Sequence, residues 1–132
     1  MKGRANHFEI HVSKPDETIP FYKDLLEYFE WQTLSEWPGG LGIGGGGVSF
    51  WLFATPEDHR QHAFDRDATG LSHIAIWVES AEAVDTFVRE YMQPRGIQPQ
   101  FDTPRARTDF GPTYYQVMFV DPEGLAIEVF HA

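Results

Sequence analysis

Histidine and carboxylate side chains are the only groups in this chain suited to binding a transition metal, because its 132 residues include no cysteine. The candidates lie among apolar residues in three segments: His7, Glu9 and His11 near the start, His73 in the middle and Glu128 near the end. Such groups can bind a divalent metal or transfer protons. A single histidine on a strand is more often structural than a ligand, so a metal site needs support from their arrangement.

The chain contains an internal repeat. Residues 7–26, HFEIHVSKPDETIPFYKDLL, overlay residues 73–92, HIAIWVESAEAVDTFVREYM, without a gap, and this aligns His7 with His73. A second overlay places residues 47–53, GVSFWLF, on residues 124–130, GLAIEVF, and aligns Trp51 with Glu128. Two copies of one unit therefore make up the chain.

Alternation of apolar and polar residues predicts a strand at the start of each copy and at the end of the chain. The predicted core residues of these strands are Phe8, Ile10, Val12, Ile74, Ile76, Val78, Leu125, Ile127 and Val129. The opposite face carries His7, Glu9, His11, His73, Ala75, Trp77, Ala126, Glu128 and Phe130. The two histidines that align and Glu128 therefore share one type of face.

Helical periodicity follows the first strand of each copy. Its apolar positions are Ile19, Tyr22, Leu26 and Phe29 in the first copy, and Val84, Phe87, Val88, Tyr91 and Met92 in the second. Ser80 is a predicted N-cap, and Pro20 requires the first helix to begin about one turn earlier, near Asp16. Further strands are predicted near residues 30–36, 40–44, 98–103 and 113–120, which gives the order βαβββ twice.

Two glycine-containing segments predict turns. Asp121-Pro122-Glu123-Gly124 predicts a hairpin with a three-residue loop, which pairs Met118 with Glu128 and Asp121 with Leu125. That register places Tyr114, Gln116 and Met118 on the Glu128 face. The glycine run at residues 39–47 leads into a strand and not into a helix, so it predicts a turn with a loose strand and not a phosphate-binding loop.

Composition limits the partners and the location. The formal net charge of −10 repels nucleic acid and anionic membrane surfaces. No segment is apolar enough to span a bilayer or resembles a signal peptide, so we expect a cytoplasmic protein. We expect a single domain over residues 1–132, with repeat one at about 5–54, a polar linker at about 55–70 and repeat two at about 71–132. One repeat has too little core to stand alone, so the copies should combine into one folded unit or exchange with a second chain.

These motifs, together with FYKDLL in the first helix and DPEGLAIEVF near the end, resemble the vicinal-oxygen-chelate superfamily. That superfamily includes glyoxalase I, fosfomycin-resistance enzymes, extradiol dioxygenases and bleomycin-binding proteins. The resemblance covers nearly the whole chain and implies an α+β fold. Two βαβββ repeats would form a curved mixed β-sheet around a metal pocket, with the helices on the outer face. It also implies a homodimer, because such repeats often pair within or between chains.

The resemblance implies ligand positions at His7, Trp51, His73 and Glu128, of which only Trp51 cannot bind metal. The implied cofactor is one divalent ion of Fe, Mn, Zn, Ni or Co, with open positions for a substrate that has two adjacent oxygens. Trp51 stands where glyoxalase I would require a fourth ligand, which counts against that activity. Met118 stands where fosfomycin-resistance and extradiol enzymes commonly have a tyrosine, which counts against both.

Other side chains are candidates for catalysis or substrate binding. Glu9 and His11 could move protons or bind metal, and solvated edge residues are the alternative. Aromatic residues on the same face suggest a pocket for an aromatic or hydrophobic small molecule, unless they only fill a closed sheet. Arg105 and Arg107, in the predicted break between the sixth and seventh strands, could clamp an anionic substrate, although exposed arginines usually have no specific role. The predicted catalytic residues are Glu128, Glu9 and His11, and the predicted substrate-binding residues are Trp51, Trp77, Gln116, Met118 and Arg105.

Two functions are compatible with these features. The first is a metal-dependent lyase, isomerase, transferase or dioxygenase, in which the metal stabilises an enolate-like or oxyanion intermediate. The second is a binding or antibiotic-resistance protein that sequesters an aromatic ligand without converting it. Metal content distinguishes them, because only the first requires the ion.

Overall fold

The structure, a computed structural model, describes all residues from 1 to 132 and divides into two compact units. The first unit comprises residues 1–63 and the second comprises residues 64–132. Each unit has a strand, a helix and three further strands, and each forms its own four-stranded mixed sheet. The predicted fold class, with two βαβββ repeats, is confirmed.

In the first unit, strand β1 and helix α1 precede a three-stranded antiparallel segment. The elements are β1 (His7–Val12), α1 (Pro15–Tyr28), β2 (Gln32–Trp37), β3 (Gly40–Gly45) and β4 (Val48–Ala54). The strand order is β1-β4-β3-β2, and only β1 and β4 are parallel. The glycine run leads into no helix and includes the strand predicted near residues 40–44. That strand is not loose, however, because β3 is paired with β2 on one side and with β4 on the other.

The core of the first unit lies between α1 and one face of this sheet. Tyr22, Leu25 and Leu26 of α1 are fully buried, as are the sheet residues Leu41 and Leu52. Helix α1 begins at Pro15, one turn before Pro20, as the position of that proline requires. The prediction that Phe8 is a core residue is wrong. Its side chain is 52% exposed, because it lies on the edge strand β1 and only meets Phe50 edge-on.

The second unit repeats the order of elements with a more irregular helix. It contains β5 (His73–Trp77), α2 (Ala81–Phe87), β6 (Gln100–Ala106), β7 (Tyr115–Val120) and β8 (Ala126–His131), in the sheet order β5-β8-β7-β6. Ser80 is the N-cap of α2, and its hydroxyl accepts a hydrogen bond from the Ala83 N–H at 3.1 Å. A π-helical turn at Val88–Met92 and a 3-10 turn at Gln93–Arg95 continue α2, which the periodicity does not predict.

The hairpin between β7 and β8 has the predicted register. Met118 pairs with Glu128, and the Asp121 N–H donates to the Leu125 carbonyl at 2.9 Å. The Asp121 carboxylate accepts hydrogen bonds from the backbone N–H groups of Glu123 and Leu125, both at 2.8 Å. Gly124 has a φ of 96°, a conformation that favours glycine. The turn sequence therefore determines which residues of β7 face Glu128.

Two further features differ from or extend the predictions. Arg105 lies within β6 and pairs with Gln116, so the predicted break between strands begins later, at Arg107. Ala126 and Glu128 are nearly as buried as the core residues of β8, because both faces of this strand are covered.

The linker contains only a 3-10 turn, Glu57–His59. No helix has the length and apolar character needed to cross a membrane.

The Asp121 carboxylate should be important for stability, because it is 5% exposed and accepts two backbone hydrogen bonds. We expect Asp121→Ala to lower the free energy of unfolding by about 2 kcal/mol, since two backbone donors lose their acceptor. Asp121→Asn keeps one acceptor oxygen and should recover most of this loss. Urea unfolding followed by circular dichroism measures both variants, and equal losses would contradict the proposed role of the acceptor.

Candidate functional site

A histidine and a buried carboxylate meet in the second unit, where β5 runs parallel to β8. The register pairs His73 with Ala126 and Ala75 with Glu128, so His73 and Glu128 lie on the same face of the sheet, two residues apart along the strands. The Nε2 atom of His73 lies 3.4 Å from Oε2 of Glu128. The Glu128 side chain is 6% exposed and that of His73 is 45% exposed. The carboxylate is therefore buried against the sheet, while the imidazole is accessible to solvent.

Tyr114 holds the second carboxylate oxygen. Its hydroxyl donates a hydrogen bond of 2.8 Å to Oε1 of Glu128. Its ring stacks on Phe130 at a centroid distance of 5.1 Å and an interplanar angle of 18°, and it meets Phe110 edge-on at 5.4 Å. Since one oxygen binds Tyr114 and the other faces His73, Glu128 has a fixed orientation.

Burial and the neighbouring carboxylate affect the ionisation of this tyrosine. Burial is the main cause that raises the pKa of Tyr114 to about 12, and the hydrogen bond and negative charge of Glu128 add to it, while Arg107 opposes them. The phenol is therefore protonated at neutral pH. It acts as a hydrogen-bond donor to Glu128 and not as a base.

Arg107 is next to this group but is already paired. Its guanidinium donates to both oxygens of Asp109 at 3.0 and 2.7 Å and lies 4.1 Å from the ring centroid of Phe110. The hydrogen bond from Arg107 lowers the pKa of Asp109, and the same bond raises the pKa of Arg107. The pair has little net charge, so Arg107 is less suited to clamping an anion than its sequence position suggests.

The other candidates of the second unit lie at different depths. Gln116 is buried and Met118 is half-buried, and both belong to β7. Arg105 is exposed and its Nη1 atom lies 3.4 Å from Oδ2 of Asp102. Trp77, at the end of β5, is 58% exposed and its ring lies 6.4 Å from that of His131. Gln116 and Met118 are therefore the candidates nearest to Glu128 in the sheet, because β7 pairs directly with β8.

The candidates of the first unit lie on the corresponding face of its sheet. His7 is exposed, and its Nδ1 atom lies 3.0 Å from the Asn6 side-chain oxygen. Glu9 and His11 form a pair, with Oε1 and Nε2 separated by 3.4 Å and both side chains more than half exposed. Trp51 occupies the position that Glu128 has in the second unit, and it is half-buried. The chemical groups of this unit are thus solvent-accessible, unlike Glu128.

The residues of the second unit fit part of a metal site. An imidazole nitrogen and a carboxylate oxygen face each other, and both are ligands that borderline divalent metals accept. The Nδ1 atom of His73 lies 3.2 Å from the Ser72 hydroxyl, an outer contact that could orient a ligand histidine. No group of three or more His, Asp or Glu side chains is close enough to hold a metal in the structure. The pair supplies two ligands.

Tyr114 is the residue that sequence reasoning did not assign to the site. The hairpin register places it on the Glu128 face, and this was the available signal. It lies just before β7, however, where periodicity does not determine how far a side chain reaches. Met118 stands where related enzymes commonly have a tyrosine. In this chain Tyr114 instead supplies a tyrosine hydroxyl that donates to Glu128.

Comparison with known proteins identifies the family. Residues 4–129 match the family model of the glyoxalase/bleomycin resistance protein/dioxygenase superfamily. The chain therefore belongs to this superfamily, the vicinal-oxygen-chelate class of proteins. No curated protein matches the chain.

Solved structures support the same fold. A candidate glyoxalase from Bacillus halodurans is 26% identical, has a TM-score of 0.88, and the match covers 99% of this chain and 97% of that one. A glyoxalase/dioxygenase from Nostoc punctiforme is 21% identical, with a TM-score of 0.73 and coverage of 97% and 90%. A lactoylglutathione lyase from Agrobacterium tumefaciens is 19% identical, with a TM-score of 0.69 and coverage of 99% and 95%. The last two likenesses show the fold alone.

The hydrogen bond from Tyr114 to Glu128 predicts a stability effect that does not depend on pH near neutrality. Tyr114→Phe should lower the free energy of unfolding by about 1 to 2 kcal/mol. Because the pKa of Tyr114 is raised to about 12 in the folded state, its contribution is complete below the unfolded-state pKa of about 10 and is lost as the pH rises through the folded-state value. The loss should therefore be the same at pH 7 and pH 9.

The matched control is Tyr115→Phe. The Tyr115 hydroxyl donates to Asp85 at 2.8 Å in an exposed position, so its removal should cost only about 0.5 kcal/mol. Urea unfolding at both pH values measures the two variants. If Tyr114→Phe costs no more than the control, or if its cost falls between pH 7 and pH 9, the proposed hydrogen bond is not the cause.

Proposed function

We propose that this protein is a divalent-metal-dependent enzyme that acts on a small hydrophobic or aromatic molecule with two adjacent oxygens. The observation that carries the proposal is the His73 and Glu128 pair, with Nε2 and Oε2 separated by 3.4 Å. A carboxylate that is almost fully buried needs compensation, and Tyr114 and His73 supply it on two sides. A bound cation at the open side of this pair would compensate the charge further.

The proposed ligands are His73, Glu128 and His7. The support for His7 is the repeat, in which it aligns with His73 at the start of the first strand. Ser72 would hold the His73 ring through Nδ1 and leave Nε2 free to bind the ion. Fe, Mn, Zn, Ni and Co are all compatible with two imidazoles and one carboxylate.

When bound, the ion would supply Lewis-acid chemistry, and Fe would also permit oxygen chemistry. The chain's own residues have simpler tasks. The protonated Tyr114 hydroxyl fixes the orientation of Glu128, and Glu9 with His11 would move protons from a solvent-exposed position. The substrate would contact Trp51, Trp77, Gln116, Met118 and Arg105. The reaction would be that of a lyase, isomerase, transferase or dioxygenase, in a cytoplasmic homodimer.

The first test is the metal content of untagged protein by elemental mass spectrometry. Wild type should contain about one equivalent of a transition metal, and His73→Ala and Glu128→Gln should each reduce the affinity for added Mn, Zn or Co by at least about tenfold. His7→Ala should have the same effect. His59→Ala is the control, because His59 is exposed in the linker and should leave metal binding unchanged.

Two results would contradict the proposal in different ways. If wild type binds none of the added metals, the site is not a metal centre and the alternative of a binding or resistance protein is favoured. If His73→Ala loses the metal but His7→Ala retains it, the assignment of His7 fails while that of the second unit stands. The element found would then separate oxygen chemistry from redox-silent Lewis-acid chemistry.

A further inference from the structure

Strand β3 of the first unit is made almost entirely of glycine on one face. Its sequence, GLGIGG, places Gly40, Gly42 and Gly44 on that face, while Leu41 and Ile43 are fully buried on the other. Glycine weakens a strand, since it costs backbone entropy and has no side chain to pack. Something on the face that these three glycines share must therefore favour the absence of side chains.

Two indole rings occupy the space that side chains would fill. A Cβ atom at Gly42 would lie 2.6, 2.8 and 2.9 Å from three adjacent carbons of the Trp51 ring. Nearly equal distances to three adjacent ring atoms place the glycine under the face of the ring and not at its edge. At Gly40, a Cβ atom would collide with the ring of Trp37 in the same way. Both indoles thus lie flat on the backbone of β3.

The two rings form one surface. Their centroids are 6.3 Å apart and their planes differ by 30°, which matches the spacing of about 6.6 Å between alternate residues on a strand. Phe53 borders the two indoles beside Trp37, at a centroid distance of 5.1 Å and an interplanar angle of 54°, and the His11 ring lies 6.3 Å from it. We name the surface of Trp37, Trp51 and Phe53 the aromatic floor. All three residues are half-buried, because one side of each contacts the sheet.

The indole N–H of Trp51 already has a hydrogen-bond acceptor. Its Nε1–H donates to the Ser49 hydroxyl at 3.1 Å. The indole therefore offers a partner mainly its outward face, which carries the negative end of the ring quadrupole and favours stacking with flat rings or contact with a cation. A ligand that recognises the floor must be flat, or positively charged, or both.

The charge on this face of the sheet also disfavours an anionic ligand. By strand parity, Glu9 is the only permanently charged side chain that the four strands place on the floor's side of the sheet. Glu9 pairs with Trp51 across the β1 and β4 register, so its side chain leaves the sheet beside the floor, and its Oε1 atom lies 3.4 Å from Nε2 of His11 on the same face. Together with the formal net charge of −10, this arrangement disfavours an anion.

We propose that the aromatic floor is a stacking site for a planar aromatic small molecule that carries no negative charge. The inference deepens the proposed function, because it names the class of molecule for the same protein, but it does not require the metal. The glycines of β3 determine how closely the two indoles approach the sheet and hence the position of the floor. A planar ring system of two or three fused rings would cover both indoles.

The test uses proflavine, a planar tricyclic cation, and anthracene-9-carboxylate, a planar tricyclic anion, in equilibrium dialysis. Wild type should bind one proflavine per chain and bind the anion at least about tenfold more weakly. Gly42→Ala should weaken proflavine binding by about tenfold, because the added methyl group must tilt the Trp51 ring away from the strand.

Gly44→Ala is the matched control. It adds the same methyl group on the same face of β3, but the three atoms nearest to that methyl group belong to no indole: they are Leu34 Cδ1 at 3.0 Å, Ser49 Cβ at 3.3 Å and the Val48 carbonyl oxygen at 3.5 Å. The Ser49 hydroxyl, which accepts from Trp51, is not among them. It should change proflavine binding by less than about twofold. Because Gly42→Ala could also disturb folding, Trp37→Leu is tested in parallel and should weaken binding similarly. Trp31→Phe should not, since Trp31 packs against the buried Phe50. Circular dichroism checks that each variant is folded.

Several outcomes would overturn the inference. They are an absence of proflavine binding in wild type, equal or tighter binding of the anion, and unchanged binding in both Gly42→Ala and Trp37→Leu. If sedimentation shows that proflavine and dimerisation exclude each other, a second copy of the chain is the occupant and the inference is also wrong. Failure of the metal site is recognised separately, because His73→Ala should lose metal and still bind proflavine.

Discussion

The Glu128 carboxylate constrains the second unit more than any other group, because a charge buried in a sheet is costly unless its oxygens have partners. The parallel pairing of β5 and β8 brings His73 to one oxygen, and the hairpin brings the segment of Tyr114 to the other. A shift of one residue in the hairpin would turn Glu128 to the opposite face. The Asp121 turn, the strand order and the aromatic stack around Tyr114 are therefore all needed for one side chain.

The two repeats keep the same backbone order but differ at the equivalent position of their last strands. The second repeat has Glu128 there, with a histidine and a tyrosine as partners, whereas the first has Trp51, held by Ser49 and supported by glycine. A buried acid requires polar partners, while a flat indole requires an empty strand beneath it. Duplication followed by this divergence gives one unit its ionisable pair and the other its aromatic surface.

Much of the fold could be predicted from the sequence, because alternation, helical periodicity and the repeat are local signals. The hairpin register followed from Asp121 to Gly124, and the helix start followed from Pro20. Burial was predicted less well: periodicity alone does not show that an edge strand leaves Phe8 exposed or that both faces of β8 are covered. The contact of Tyr114 with Glu128 and the flat packing of the two indoles on β3 could not be predicted, because they depend on side-chain reach and ring orientation, which residue spacing does not determine.

The contact between Trp51 and Gly42 also links two paired positions on neighbouring strands. A larger residue at 42 would collide with the indole, and a smaller residue at 51 would leave a bare glycine strand exposed to water. Neither position can change first without a loss of stability or of shape. The two positions should therefore change together, and in a relative that keeps Trp51 the residue at position 42 should indicate whether the indole still lies flat.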